Sequence, residues 1–228
     1  MSSPAPKPSE ARLSGEARRP DGGGGATTVA ERIEALIAAM TLEEKAGQLT
    51  IMPAALAPAP ANAANPAAVP GSIEEQAQAV REGRLGAVFN GDSADWHRRM
   101  QTVAVEESRL GIPLLFAADV IHGFRPIFPV PLAEAAAFDA NLAKRTARAA
   151  AEEATAVGLA WNFAPMVDIS RDARWGRGVE GAGEDVLLGC TLAVARVGGF
   201  QGEAGLSDVG AMLATPKHPA GYGAGAGG

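Results

Sequence analysis

Residues 113–119 read PLLFAAD, an almost continuous apolar run that ends in a carboxylate. A strand with one exposed face alternates apolar and polar residues, whereas a strand covered on both faces is apolar throughout. This run has the length of a strand and begins at a proline. It therefore predicts a buried strand of a parallel sheet, with Asp119 at its carboxyl end.

Similar apolar runs recur along the chain, and helical patterns separate them. The predicted strands lie near residues 48–52, 86–90, 113–119, 159–169 and 209–217. Alternation of buried strands and helices is typical of βα units that build a parallel sheet. The fold class predicted is therefore α/β, with about five βα units.

The helices between these strands carry recognisable start signals. Three of them begin with Thr or Ser followed three residues later by Glu, the pattern of a capping box, at Thr28, Thr41 and Ser72. We expect Asp139 to cap a long Ala-rich helix that ends at Gly158, and a further helix over 184–200.

Two residues are interpreted from their helical surroundings alone. His97 lies in a predicted helix over 96–110 and is expected at the surface. Cys190 lies in the apolar helix over 184–200 and is expected in the core.

Composition excludes several classes of function. The 228 residues carry a formal net charge of −6, which argues against nucleic acid or an anionic membrane as the main partner. With a single cysteine the chain has neither an internal disulfide nor a cysteine-based metal cluster, and no metal or cofactor is predicted. No stretch is typical of a signal peptide or a membrane span. Cytoplasm is the default expectation for localisation, with the periplasm or secretion as alternatives.

The chain divides by composition into two regions. Residues 1–28 are rich in Pro, Ser, Arg and Gly and are predicted to form a disordered tail. Residues 29–228 carry the βα pattern. Within them, a Pro/Ala-rich insertion at about 53–70 is predicted to be a surface loop.

Polar residues follow the predicted strands at their carboxyl ends, which is the edge where α/β folds build their sites. Asp119, Asp168 and the pair Lys217-His218 lie there. Asp119 is equally well interpreted as a ligand-binding carboxylate or as the cap of a loop. Adjacent strand residues point to opposite faces, so Lys217 and His218 both reach a ligand only where the strand twists or bulges.

Three arginines and a tryptophan lie in RDARWGR, residues 171–177. The planar guanidinium matches sugar diols, carboxylates and phosphates, so an arginine here is a candidate for binding a ligand. The alternative is a solvated loop whose arginines pair with nearby acidic residues, at Glu180, Glu184 and Asp185.

The C-terminal glycines include a G-x-G-x-x-G pattern at Gly223, Gly225 and Gly228. A dinucleotide fingerprint needs a helix after the glycines and an acidic residue about 20 positions later. Neither is present in the sequence, so a nucleotide-binding α/β protein is the weakest of the hypotheses.

Four blocks in order resemble glycoside hydrolase family 3, the β-glucosidase and β-xylosidase family. They are MTLEEKAGQLT (40–50), EESRLGIPLLFAADVIHGFRPIFPVPLAEAAAFD (106–139), WNFAPMVDISRDARWGRGVEGAGED (161–185) and KHPAGYG (217–223). The resemblance implies an incomplete (β/α)8 TIM-like barrel, the N-terminal part of a truncated catalytic domain. It also implies retaining hydrolysis of terminal β-linked sugars, as in a β-glucosidase.

Carried over by position, the resemblance implies that the hydroxyls of a sugar are bound by Asp119, Arg177, Lys217 and His218. The carboxylate would accept hydrogen bonds, and Arg, Lys and His would donate them. Supporting contacts are expected from Glu180, Glu184, Asp185 and Arg174. Pro219 departs from the family, which usually has phenylalanine there.

In the family, the Asp nucleophile and the general acid/base lie beyond the position that corresponds to residue 228. No catalytic residue is therefore assigned, and the chain alone is expected to be inactive. The expected partner is a small-molecule sugar or β-glycoside. The alternative function is a non-catalytic module that binds a sugar or a protein partner.

Overall fold

The computed structural model describes residues 27–55, 71–91, 93–219 and 221–225. The predicted tail over 1–28 and the predicted insertion over 53–70 lie almost wholly outside the described residues. So does Gly228, the last glycine of the C-terminal pattern.

Five parallel strands form one sheet, in the order in which they occur along the chain. They are β1 (Ile51–Pro53), β2 (Ala87–Phe89), β3 (Leu115–Ala118), β4 (Trp161–Asn162) and β5 (Leu213–Ala214). A doubly wound dinucleotide-binding sheet reverses its strand order, whereas a (β/α)8 barrel adds each strand on the same side. The order therefore confirms the α/β class and the first five βα units of a barrel.

The last two strands are much shorter than the predicted runs over 159–169 and 209–217. Pro165 has no N–H to donate to a ladder, which explains why regular pairing stops after β4. Pairing resumes further on, where Val167 N donates to Lys217 O at 2.7 Å and Lys217 N donates to Pro165 O at 3.0 Å. This second contact brings the segment after β5 beside the segment after β4.

The described residues form seven α-helices, of which those that follow Thr28, Thr41, Ser72 and Asp139 begin at their predicted caps. They are α1 (Val29–Ala39), α2 (Leu42–Gln48), α3 (Ile73–Arg81), α4 (Ala94–Thr102), α5 (Pro131–Ala135), α6 (Ala140–Ala156) and α7 (Val186–Gln201). Complete capping boxes at Thr41 and Ser72 start α2 and α3. Asp139 caps α6 as expected, through the backbone N–H groups of residues 141 and 142.

Helix α1 belongs almost entirely to a separate compact unit, residues 1–38, and is described by itself. Its start follows the predicted capping box. Thr28 N donates to a carboxylate oxygen of Glu31 at 2.7 Å, and Glu31 N donates back to Thr28 Oγ1 at 3.2 Å.

The main core lies between the sheet and the helices of the larger unit. Its largest fully buried apolar side chains include Val88, Met100, Leu159, Phe200 and Met212. His97 joins this core, so the expectation of a surface histidine is wrong. Its Nδ1 lies 2.6 Å from Val157 O, and its ring centroid lies 4.5 Å from that of Phe116.

Cys190 is exposed, which corrects the expectation of a core cysteine. Helix α7 carries apolar residues on every side, so its periodicity does not distinguish the buried face from the exposed one. In the structure its buried face carries Leu192, Gly199 and Phe200.

One charged residue of α7 is also buried. Arg196 Nη2 lies 2.5 Å from Glu134 Oε1 of α5, with the two side chains only 8% and 6% exposed. Arg196 Nη1 donates to Ile121 O at 3.1 Å, and Thr146 Oγ1 donates to Glu134 Oε2. Burial lowers the pKa of Arg196, and the charge of Glu134 opposes that effect. This ion pair ties α5, α6 and α7 to the segment just after β3.

Helix α7 packs closely against α6 at Gly199. A methyl group there would lie 2.4 Å from Lys144 O and 2.7 Å from the Cβ of Ala147, whereas at Gly198 its nearest neighbour would be the flexible Lys144 side chain at 4.0 Å. We expect Gly199→Ala to lower the free energy of unfolding by about 1–3 kcal/mol through overpacking. Gly198→Ala, its matched control, should raise it by up to about 1 kcal/mol through helix propensity. Urea unfolding of both variants measures the difference, and equal effects would contradict this packing.

Candidate functional site

Asp119 is the first residue after β3, and the backbone of the residue that follows it is held by a buried amide. Asn162 of β4 accepts from Val120 N at 2.9 Å and donates to Val120 O at 3.0 Å. The Asp119 side chain, 37% exposed, accepts a hydrogen bond from Lys217 Nζ, whose side chain is only 15% exposed. Two opposite charges 98 residues apart in sequence thus meet at the carboxyl edge of the sheet.

His218 is held by Asp168, which follows β4. One carboxylate oxygen, Oδ2, accepts from the backbone N of His218 at 3.0 Å and lies 2.9 Å from its Nδ1. The Asp168 side chain is completely buried. Lys217 and His218 are joined by a cis peptide bond.

Arg177 lies beside the other ring nitrogen of His218, with Nη1 3.4 Å from Nε2. Its remaining donors form two parallel bonds of 2.7 Å to the carboxylate of Glu180. This hydrogen bonding to Glu180 raises the pKa of Arg177, which is therefore charged at any ordinary pH.

Glu180 pairs with Arg177 and lies within the electrostatic influence of Lys217. Its hydrogen bonds from Arg177 lower its pKa against the opposing effect of burial, and the positive charges of Arg177 and Lys217 lower it further. A carboxylate whose pKa is depressed on folding stabilises the protein above its unfolded pKa and loses that contribution as the pH falls through the folded pKa. Glu180 therefore stays ionised, and paired with Arg177, at pH values below those at which an ordinary glutamate is protonated.

Tyr222 closes one side of the cluster, and sequence reasoning missed it. Its ring packs at steep angles against His218, with centroids 4.5 Å apart, and against the buried Trp175 at 5.4 Å. The guanidinium of Arg177 lies 5.9 Å from its centroid. Tyr222 is the only tyrosine of the chain, which was the available signal.

Of the residues expected to give supporting contacts, Glu180 joins the cluster. Arg174 instead pairs with Asp172 at 2.7 Å and is largely exposed. Asp185 caps α7 by accepting from Leu188 N at 2.7 Å, and Glu184 is exposed. The two arginines 174 and 177 thus behave differently, one as a solvated ion pair and the other within the cluster.

The site is therefore a set of three carboxylates, each in contact with a basic side chain. The pairs are Asp119–Lys217, Asp168–His218 and Glu180–Arg177. Alternating donors and acceptors suit a ligand rich in hydroxyl groups, since a hydroxyl both donates and accepts. Within the described ranges, His, Cys, Asp and Glu side chains nowhere gather in a group of three that could hold a metal ion. No helix among those same residues is long and apolar enough to cross a bilayer.

Residues 41–228 match the model of the glycosyl hydrolase family 3 N-terminal domain. A periplasmic β-glucosidase of Salmonella typhimurium is 38% identical over 193 residues, which cover 85% of this chain and 23% of that protein. The crystal structure of a β-glucosidase from Listeria innocua superposes with a TM-score of 0.72 at 36% identity, over 85% of this chain and 27% of that one. Its complex with glucose gives the same four values.

The chain thus spans about a quarter of the length of these relatives. The match includes every residue of the cluster. Together with the strand order of a barrel, it shows that this chain belongs to glycoside hydrolase family 3.

Proposed function

We propose that the cluster is the sugar-binding subsite of a retaining β-glucosidase-type hydrolase, with Asp119, Arg177, Lys217 and His218 binding the hydroxyls of a terminal sugar. The observation that carries this proposal is the contact between Asp119 and Lys217, beside the His218–Arg177 contact. A relative that contains this part of the fold was solved with glucose bound, which supports glucose as the first ligand to test.

The chemistry of the subsite follows from its charges. A carboxylate accepts from neighbouring hydroxyls, and Lys217 and Arg177 donate to others, each through a charge-assisted hydrogen bond. As the sugar ring flattens toward an oxocarbenium-like transition state, hydroxyl contacts that tighten lower the barrier and not merely the dissociation constant. The subsite would thus contribute to rate as well as to binding.

The nucleophile and the general acid/base are proposed to come from outside these 228 residues. Retaining hydrolysis needs one free carboxylate that attacks and one carboxyl that is protonated at working pH. Each carboxylate of the cluster is instead paired with a basic side chain, and the depressed pKa of Glu180 is the opposite of what a general acid requires.

Glucose titration followed by thermal unfolding tests the proposal. At a glucose concentration 100-fold above the dissociation constant we expect about 2.7 kcal/mol of stabilisation. For a domain of this size that raises the Tm by roughly 5–10 °C. Asp119→Ala should reduce the stabilisation to about 0.4–1.4 kcal/mol, because a 10- to 100-fold loss of affinity leaves glucose at only 1- to 10-fold its new dissociation constant. Asp95→Ala, which removes an exposed carboxylate on α4 in an ion pair with Arg98, should leave the shift intact.

An aryl β-glucoside provides the second readout. The chain alone is expected to bind without turnover above a heat-inactivated control. Turnover would contradict the absence of catalytic carboxylates. Absence of any glucose-induced shift would contradict the subsite itself.

The alternative, a non-catalytic sugar-binding module, is favoured by the same pairing of all three carboxylates. The two functions differ in whether a polypeptide that supplies the remaining barrel strands restores turnover. Restored turnover that Asp119→Ala lowers supports the hydrolase, and glucose binding that never leads to turnover supports the module.

A further inference from the structure

Asp168 is not one of the residues proposed to bind the sugar, yet it is the most deeply buried carboxylate of the cluster. Its side chain is 0% exposed, and both of its hydrogen bonds, to the backbone N and to Nδ1 of His218, use the single oxygen Oδ2. The other oxygen, Oδ1, has no hydrogen-bond partner among the described residues. Burying a carboxylate in this way is costly, so its contact with His218 is the feature to explain.

The contact determines which ring nitrogen of His218 carries the proton. An ionised carboxylate only accepts hydrogen bonds, so Nδ1, at 2.9 Å from Oδ2, must be the N–H. In the neutral imidazole the other nitrogen, Nε2, is then an acceptor. Nε2 faces Arg177 Nη1 at 3.4 Å, and a guanidinium only donates, which agrees with this assignment.

We infer that Asp168 is a positioning residue that fixes His218 as its Nδ1–H tautomer, so that Nε2 exchanges its long 3.4 Å contact with Arg177 for a hydrogen bond accepted from a sugar hydroxyl. This inference rests on the proposed sugar-binding function and changes one part of it. The expectation from sequence was that His218 donates to the sugar, whereas its neutral ring, held in this way, presents an acceptor. Arg177 and Lys217 remain the donors.

Tyr222 supports the same ring position from another direction. Its ring contacts His218 with centroids 4.5 Å apart at 64°, and it also packs on the buried Trp175. The imidazole is therefore held by one hydrogen bond at Nδ1 and by an aromatic ring beside it. A half-turn of the ring would put Cδ2 in the place of Nδ1 and would break the Asp168 contact.

Nitrogen-15 NMR of the His218 ring in the full chain, combined with glucose titration, tests the inference. With the His218 ring in its neutral form, wild-type protein should show a protonated Nδ1 and an unprotonated Nε2. In Asp168→Ala the ring should lose this preference, and glucose affinity should fall roughly 10- to 100-fold. Asp168→Asn retains an oxygen that can accept both bonds, so it should keep the tautomer and recover most of the affinity. Asp95→Ala, which removes an exposed carboxylate outside the cluster, should leave both the tautomer and the glucose affinity unchanged.

Several results would overturn the inference. If His218 in the wild-type protein is protonated at Nε2 alone, the inference is wrong. This result needs no variant, so it holds even if Asp168→Ala does not fold. The inference is also wrong if a folded Asp168→Ala protein keeps the wild-type glucose affinity or the wild-type tautomer. It is wrong as well if Asp168→Asn binds glucose as weakly as Asp168→Ala does. If wild-type protein shows the Nδ1–H tautomer, Asp168→Ala loses it and neither binds glucose, the positioning role stands and the sugar-subsite function fails.

Discussion

Replacing Arg196 by methionine is expected to lower the free energy of unfolding by about 3–5 kcal/mol. The substitution leaves the carboxylate of Glu134 buried without its cation, because the two side chains are only 8% and 6% exposed. Thr146 still donates to Glu134, but a neutral donor does not offset a buried charge. Urea unfolding followed by circular dichroism measures the loss.

Two further variants separate the net contribution of the ion pair to the free energy of unfolding from the cost of leaving one charge buried without its partner. Glu134→Leu alone should destabilise to a similar extent, since it leaves the guanidinium of Arg196 buried and unpaired. The double variant E134L/R196M should lie within about 1–2 kcal/mol of the parent, because apolar residues of similar volume replace both charges. The double variant leaves Ile121 O unpaired, which explains a residual cost. A double variant as unstable as the sum of the singles would contradict this account.

The position of Asp119 could be predicted because it depends on local rules. A continuous apolar run predicts a buried parallel strand, and the first polar residue after such a strand lies at the carboxyl edge of the sheet. Lys217 follows from the same rule. Their mutual contact follows in turn from the shared edge of one sheet.

The partners of His218 could not be predicted in this way. Asp168 reaches it through the bridge between Met166 and Lys217, so the pairing depends on the register of two chain segments about 50 residues apart. Register is set by packing of the whole sheet, so it cannot be predicted from the sequence of either segment alone. The sequence places Asp168 at a strand end but leaves its hydrogen-bond partner open.

The sequence contains a signal for the buried pair of Arg196 and Glu134. Arg196 is the only charged residue in α7, and Glu134 is the only one in α5. A single charge within an otherwise apolar helix is seldom buried unless it is paired, so two such charges indicate a pair. Because α7 is apolar on every side, the pattern does not show that Cys190 lies on the exposed face. For the same reason its single arginine stands out as a residue that needs a partner.

Lys217 and Asp119 are expected to act on the sugar as one unit. Lys217→Met should weaken glucose binding roughly 10- to 100-fold, the effect of losing a hydrogen bond from a charged donor. Asp119→Ala should weaken it to a similar extent. The double variant should bind about as weakly as either single variant, because each single change already removes the partner that orients the other side chain.

Calorimetric titration of glucose into the four proteins of this double-mutant cycle measures the coupling. Lys144→Met is the matched control, since Lys144 forms an exposed pair with Glu203 at 2.7 Å and lies outside the cluster. It should leave the dissociation constant unchanged. Losses that add up in the double variant would mean that Asp119 and Lys217 bind separate hydroxyls independently. Coupled losses mean that the ion pair itself is the element that recognises the sugar, because neither charge is then held in place without the other.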